Sequence, residues 1–168
     1  MTFSRESPWP PTTIELKASA RVNEKFGETS HTNFTSYNRK VLITGEVASE
    51  TNKAEIERLV SGVPQVQGVY NELAIGPVTS FSTRSNDSYI TTRVKSRFVD
   101  SGKFNPVHVK VVTEAGTTYL MGLVTEREDT AATEIARTTK GVQKVVRVFE
   151  YISEEEARRL DGAAESTK

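Results

Sequence analysis

The 168-residue sequence contains no cysteine, which excludes disulfides, thiolate nucleophiles, Cys-ligated zinc and iron–sulfur clusters. Histidine is almost as scarce. His31 and His108 are the whole imidazole supply and lie far apart in segments that read as strands, so neither a metal site nor His-based catalysis is expected of them. Neither sign of charge is in excess: 22 Lys+Arg against 22 Asp+Glu leave a formal net charge of +0, and no global basic field draws the chain to nucleic acid. No run approaches the ~20 consecutive apolar residues of a transmembrane helix. The motifs G-x-S-x-G, H-E-x-x-H, G-x-x-x-x-G-K-[ST] and a post-strand G-x-G-x-x-G are all missing, so no enzyme and no cofactor is expected. The first residues, MTFSRESPWPPTTIE, lack the charged start, apolar run and small-residue cleavage site of a secretory signal. That leaves a cytoplasmic chain, or a mature fragment whose export segment has been removed.

What the sequence does contain is a repeat. VLITGEVAS (41–49) resembles TYLMGLVTE (118–126), with Gly45 over Gly122 and Val47 over Val124. VQGVYNEL (66–73) aligns with VQKVVRVF (142–149) after a one-residue slip, and RVNEKF (21–26) matches RVKSRF (93–98). Each copy opens on a helical pattern: Ala18, Val22 and Phe26 in the first, Ile90, Val94 and Phe98 in the second, spaced i, i+4, i+8. Ser85, Asn86, Asp87 and Ser88 offer N-caps for the second of these helices.

Two strands then follow in each copy. In the second, Val107, Val109 and Val111 alternate with His108 and Lys110, Ala115-Gly116 supplies the turn, and Thr118–Met121 returns; His108 is expected at an outward polar position of the strand. A second helix is expected over Asn52 to about Val60 and over Glu128 to about Thr138, with Ala54 over Ala131 and stops at Gly62 and Gly141. A last strand closes each unit. The order α-β-β-α-β predicts an α+β fold: two tandem domains, each a three-stranded mixed sheet packed against two helices. Such small units bury little core alone, so the copies are expected to pack on each other. The predicted boundaries are an extended arm over 1–12 that includes Trp9, domains over 13–76 and 87–152, a Ser/Thr/Gly/Pro-rich linker over 77–86, and a charged, partly helical tail over 153–168. Glu154-Glu155-Glu156 followed by Arg158-Arg159 reads as a solvated helical surface. Gly45 and Gly122 sit inside strands, where glycine is unfavourable unless something approaches closely; packing against a helix is the expected cause.

The first helices of the two copies differ. With Ile90, Val94 and Phe98 inward, the outer face of the second carries Tyr89, Thr92, Ser96 and Val99, flanked by Arg93 and Lys95. From Ser88 to Val99 the charges are Arg93, Lys95 and Arg97, with no acid. A ring and a valine among cations and hydroxyls suit an anionic lipid surface, where the ring enters the interface and the cations meet phosphates. In the first copy Lys17, Ala20, Glu24 and Gly27 replace Tyr89, Thr92, Ser96 and Val99, an asymmetry that points to function in the second copy, with an interface between the copies as the alternative place for Tyr89.

The stretches SNDSYITTRVKS (85–96), VKVVTEAG (109–116), YLMGLVTERE (119–128), KVLITGEV (40–47) and VYNEL (69–73) together resemble the BON domain, in the arrangement of the dual-BON outer-membrane lipoproteins. This resemblance covers roughly residues 14–152. It implies a non-enzymatic envelope protein at the periplasmic face of the outer membrane, held by a lipidated N-terminal cysteine and supporting membrane integrity near the division site. It further implies binding of anionic phospholipid, such as phosphatidylglycerol, through the helix Asp87–Asp100, with Tyr89 where the family carries a usually larger aromatic. Without a lipobox cysteine in this chain, the expectation is that Met1 was joined to a mature fragment. The lipid-binding set is Tyr89, Thr92, Arg93, Lys95, Ser96, Arg97 and Val99; the expected partner is an anionic phospholipid surface, with envelope proteins as possible further partners. The alternative is a protein-interaction scaffold for envelope assembly machinery, with lipid contact incidental.

Overall fold

The computed structural model describes residues 11–166. They form two compact units, one running from α1 to β4 and the other from α3 to α5, with the boundary in the first turn of α3.

In the first unit α1 (Pro11–Phe26) buries Ala18 and Val22, with Phe26 packed at the edge of the same core. Pro11 and Thr12 are therefore helical rather than part of an extended arm: proline tolerates the first helical turn, where its missing N–H has no partner to lose. The rest of the expected arm, Trp9 included, lies outside the described residues. β1 (His31–Tyr37) and β2 (Lys40–Val47) form an antiparallel hairpin through Asn38 and Arg39, both at positive φ, the backbone that a two-residue turn needs to match strand twist. Glu15 ties α1 to this hairpin by accepting the backbone N–H of Ser36 at 2.8 Å. Ser49 caps α2 (Glu50–Ser61) by accepting from Asn52 N–H at 3.1 Å, and Ile56 and Val60 close the core. The third strand comes in two pieces, β3 (Gly68–Asn71) and β4 (Ala74–Ile75), both parallel to β2. Between them Leu73 turns into the core while the Asn71 side chain accepts its N–H at 3.3 Å.

The second unit repeats the plan: α3 (Phe81–Ser101), β5 (Lys110–Glu114), β6 (Thr117–Val124), α4 (Glu126–Arg137) and β7 (Lys144–Tyr151), in sheet order β5-β6-β7. β5 pairs with β6 antiparallel and β7 with β6 parallel. Ile90, Val94 and Phe98 fill the core with Val111, Leu120 and Phe149. A capping box starts α4, in which Thr125 and Glu128 bond each other's backbone N–H. After β7 comes α5 (Glu154–Ser166), which seats Ala157 and Leu160 in buried positions and covers most of the expected tail. Both units are thus α+β with mixed sheets, as the sequence predicts; the first sheet gains a short fourth strand, β4, and the second unit a third helix, α5.

Three local expectations are corrected. The segment read as linker already turns helical at Phe81, so Ser85–Ser88 lie inside α3 rather than capping it. Such residues favour caps because they bond nearby backbone; Asp87 instead bonds backbone far along the chain. Val107 and His108 are not in a strand. Pro106 opens a short 3-10 turn that leaves Val107 exposed and turns His108 inward, to 4% exposure. Gly45 and Gly122 do answer a close approach, but by backbone and not by a helix: a Cβ on either would overlap the carbonyl oxygen of His31 or of His108, respectively.

Candidate lipid-docking face

The helix α3 has a buried face, three polar tethers and an open face. Near its N-terminus, Asp87 is 3% exposed and its carboxylate accepts the backbone N–H of Ala115 at 2.8 Å and of Gly116 at 3.0 Å. One turn later Thr91 Oγ1 donates to Thr113 Oγ1 at 2.8 Å. Near the other end Arg97 Nη1 donates to Ile135 O at 2.7 Å, Thr139 Oγ1 at 2.8 Å and Thr138 Oγ1 at 3.1 Å. This places a cation on the last carbonyls of α4, where the helix dipole is negative. With Ile90, Val94 and Phe98 buried, the opposite side of the helix faces water.

On that side Tyr89 is 59% and Val99 65% exposed, and Thr92, Lys95 and Ser96 are exposed beside them. Arg93 is half-buried and lies over the Tyr89 ring, 5.6 Å from guanidinium carbon to centroid, with Nη1 donating to the phenol oxygen at 3.3 Å. Thr92 Oγ1 donates to Ser88 O at 3.0 Å. Six of the seven residues expected from the sequence thus stand on or beside one open face. Arg97 stands apart: its Nη1 serves the end of α4, so it acts in the fold as a strut. Sequence reasoning missed Phe81, which begins α3 and is open to water; it lies at helical spacing from Val99, but the Ser-rich stretch before Ile90 hid the spacing.

Each histidine sits against carboxylates. His31 Nδ1 pairs with Glu46 Oε2 at 2.7 Å, and Glu46 Oε1 also accepts Thr79 N–H at 3.1 Å. His108 is enclosed between Glu128, 3.6 Å from Nδ1, and Asp161 of α5, 3.6 Å from Nε2. The first helix of the other unit is a different surface, with Lys17, Ala20, Glu24 and Gly27 exposed at the positions equivalent to Tyr89, Thr92, Ser96 and Val99.

The profile of the BON domain matches residues 13–77 and again 86–153. The chain is 39% identical over 138 residues to the outer membrane lipoprotein DolP of Haemophilus influenzae, an alignment that covers 82% of this chain and 66% of that protein. It is 34% identical, over the same shares of both chains, to the 21 kDa hemolysin of Actinobacillus pleuropneumoniae. Among solved structures, CdsD, a structural protein of the type III secretion system of Chlamydia trachomatis, aligns over 92% of this chain and 97% of its own at 13% identity, with a TM-score of 0.37. The chain spans about two thirds of the length of the two curated relatives.

Proposed function

Because the chain belongs to the BON-domain family, with two copies of the domain, we propose that it is a non-enzymatic protein of the bacterial envelope that docks on anionic phospholipid through the open face of α3. The observation that carries this reading is the exposure of Tyr89 and Val99 on a helix whose other side is committed to the core and whose cations are not offset by any acid from Ser88 to Val99. An exposed ring and valine set among hydroxyls and cations gain by entering the headgroup boundary, where apolar groups leave water and cations stay near phosphate. Its relatives support the setting, since one is named an outer membrane lipoprotein. The periplasmic face of the outer membrane, attachment through a lipidated cysteine, and a part in membrane integrity near the division site belong to the same proposal.

The attachment from this face alone is weak. A basic residue near an anionic surface contributes about 1 kcal/mol. With Arg97 bonded to α4, Arg93 and Lys95 supply the headgroup contacts, and a covalent lipid would supply most of the residence time. The direct test is a titration of the labelled protein with phosphatidylglycerol micelles against zwitterionic micelles. Amide shifts confined to residues 87–100 and adjoining loops, seen only with the anionic lipid, are the expected result; no shifts, or equal shifts throughout with both lipids, would turn the search toward a protein partner.

A further inference from the structure

Phe81 is 84% exposed, more than any other large apolar side chain among the described residues, and it lies five residues ahead of the second BON match, which starts at 86. At about 100° per residue, the eighteen residues from Phe81 to Val99 make five whole turns, so both side chains share one meridian of α3, about 27 Å apart. Ser85, Ser88, Thr92 and Ser96 fall within about 60° of that line, and Tyr89 lies about 80° to one side. Cations flank both margins, Arg84 and Lys95 on one side and Arg93 on the other. The one carboxylate between residues 81 and 99, Asp87, is turned inward onto the Ala115–Gly116 backbone.

We infer that α3 lies along the bilayer surface over its whole length, and that Phe81 is a second insertion point, at the far end of the helix from Val99. This rests on the lipid-docking reading above and extends its footprint beyond the BON domain itself. Docking by Tyr89 alone would leave a phenylalanine two turns upstream open to water on the same side of the helix. A lengthwise contact removes both rings and Val99 from water together and sets the line of hydroxyls at headgroup depth. The chemistry favours phospholipid over a second copy of this chain as the occupant. Two such faces brought together would oppose Arg93 and Lys95 to their own copies, with Asp100 in the last turn the single exposed carboxylate of α3 to offset them.

The test uses the full chain with vesicles of equimolar phosphatidylglycerol and phosphatidylcholine, and with phosphatidylcholine vesicles as control. Trp9 is the only tryptophan, so a Phe81→Trp variant in a Trp9→Phe background reports on this position alone. Quenching of that tryptophan by bromine-labelled acyl chains in the anionic vesicles, together with a roughly three- to tenfold weaker partition for Phe81→Ser and recovery in Phe81→Leu, is the expected result. An unquenched tryptophan and unchanged partition of Phe81→Ser, while Tyr89→Ser still loses binding, would overturn this inference and leave the docking reading standing. Unchanged partition of both serine variants would remove the docking reading itself. A concentration-dependent dimer that Phe81→Ser dissolves, with no quenching by lipid, would assign the residue to a second copy and overturn the inference.

Discussion

The Asp87 carboxylate accepts the backbone N–H of Gly116 at 3.0 Å, and the N–H of neighbouring Ala115 at 2.8 Å, so a side chain on α3 caps the turn between β5 and β6. The orientation of the open face of α3 is thereby referred to the sheet through one buried group.

Removing that acceptor leaves two backbone donors with no partner. Asp87→Ala is expected to destabilise the second unit by about 2–3 kcal/mol, since bonds to a charged acceptor are worth about 1.5–3 kcal/mol net. Urea unfolding followed by circular dichroism checks it, and a change below about 0.5 kcal/mol would show that the cap is incidental.

Gly45 and Gly122 are expected to refuse alanine. Gly45 sits at φ +124, a conformation that side chains rarely adopt, and its Cβ would overlap the His31 carbonyl; Gly122 has only the overlap, with the His108 carbonyl. A cost of about 3 kcal/mol for Gly45→Ala and about 2 kcal/mol for Gly122→Ala follows from backbone strain and overpacking. Gly162→Ala, in open space on α5, is the control and should be neutral or mildly stabilising in the same thermal melts.

Lipid docking should depend on charge and on the ring. Tyr89→Glu with Arg93→Glu is expected to abolish sedimentation with phosphatidylglycerol vesicles while leaving the circular dichroism spectrum intact, because both residues lie outside the core. Raising salt from low to physiological strength should weaken the wild-type partition, as the Debye length falls below the distance over which the cations act. Arg97→Ala should behave in the opposite sense, lowering the melting temperature through loss of its three bonds to α4. Full vesicle binding by the Tyr89/Arg93 double variant would place the lipid surface elsewhere.

The acid limb of stability should include Glu55. Hydrogen bonds from Arg58 and then Lys25 lower its carboxyl from the ordinary 4.5 to about 2. A carboxyl lowered in the folded state stabilises the fold above its unfolded value and loses that contribution as pH falls from about 4.5 through about 2. Carboxyl-carbon NMR titration should find Glu55 among the last groups to protonate, and Arg58→Ala should move it back toward 4.5. A midpoint already near 4.5 in the wild type would mean that the ion pair does not persist in water.

Two repeated units, their α-β-β-α-β order and the inward faces of their first helices were written in the sequence. Periodicity at Ala18, Val22, Ile90, Val94 and Phe98, the paired glycines and the turn at Ala115-Gly116 are local signals, and hydrophobic spacing converts directly into which side is buried. The contrast between Tyr89 and Lys17, from which the lipid-docking proposal starts, was legible for the same reason. Tertiary structure alone decided the remainder. That Asp87 would bond a turn 28 residues away rather than cap its own helix, that Arg97 would close α4 rather than stand free for phosphate, and that His108 would be enclosed by Glu128 and Asp161 all depend on partners distant in sequence. A short polar side chain satisfies its bonding equally well nearby or far off, and nothing in its immediate neighbours says which. Hydrophobic period sets the face of a helix; the packed neighbours decide which of its polar groups are consumed by the fold and which remain to meet a ligand.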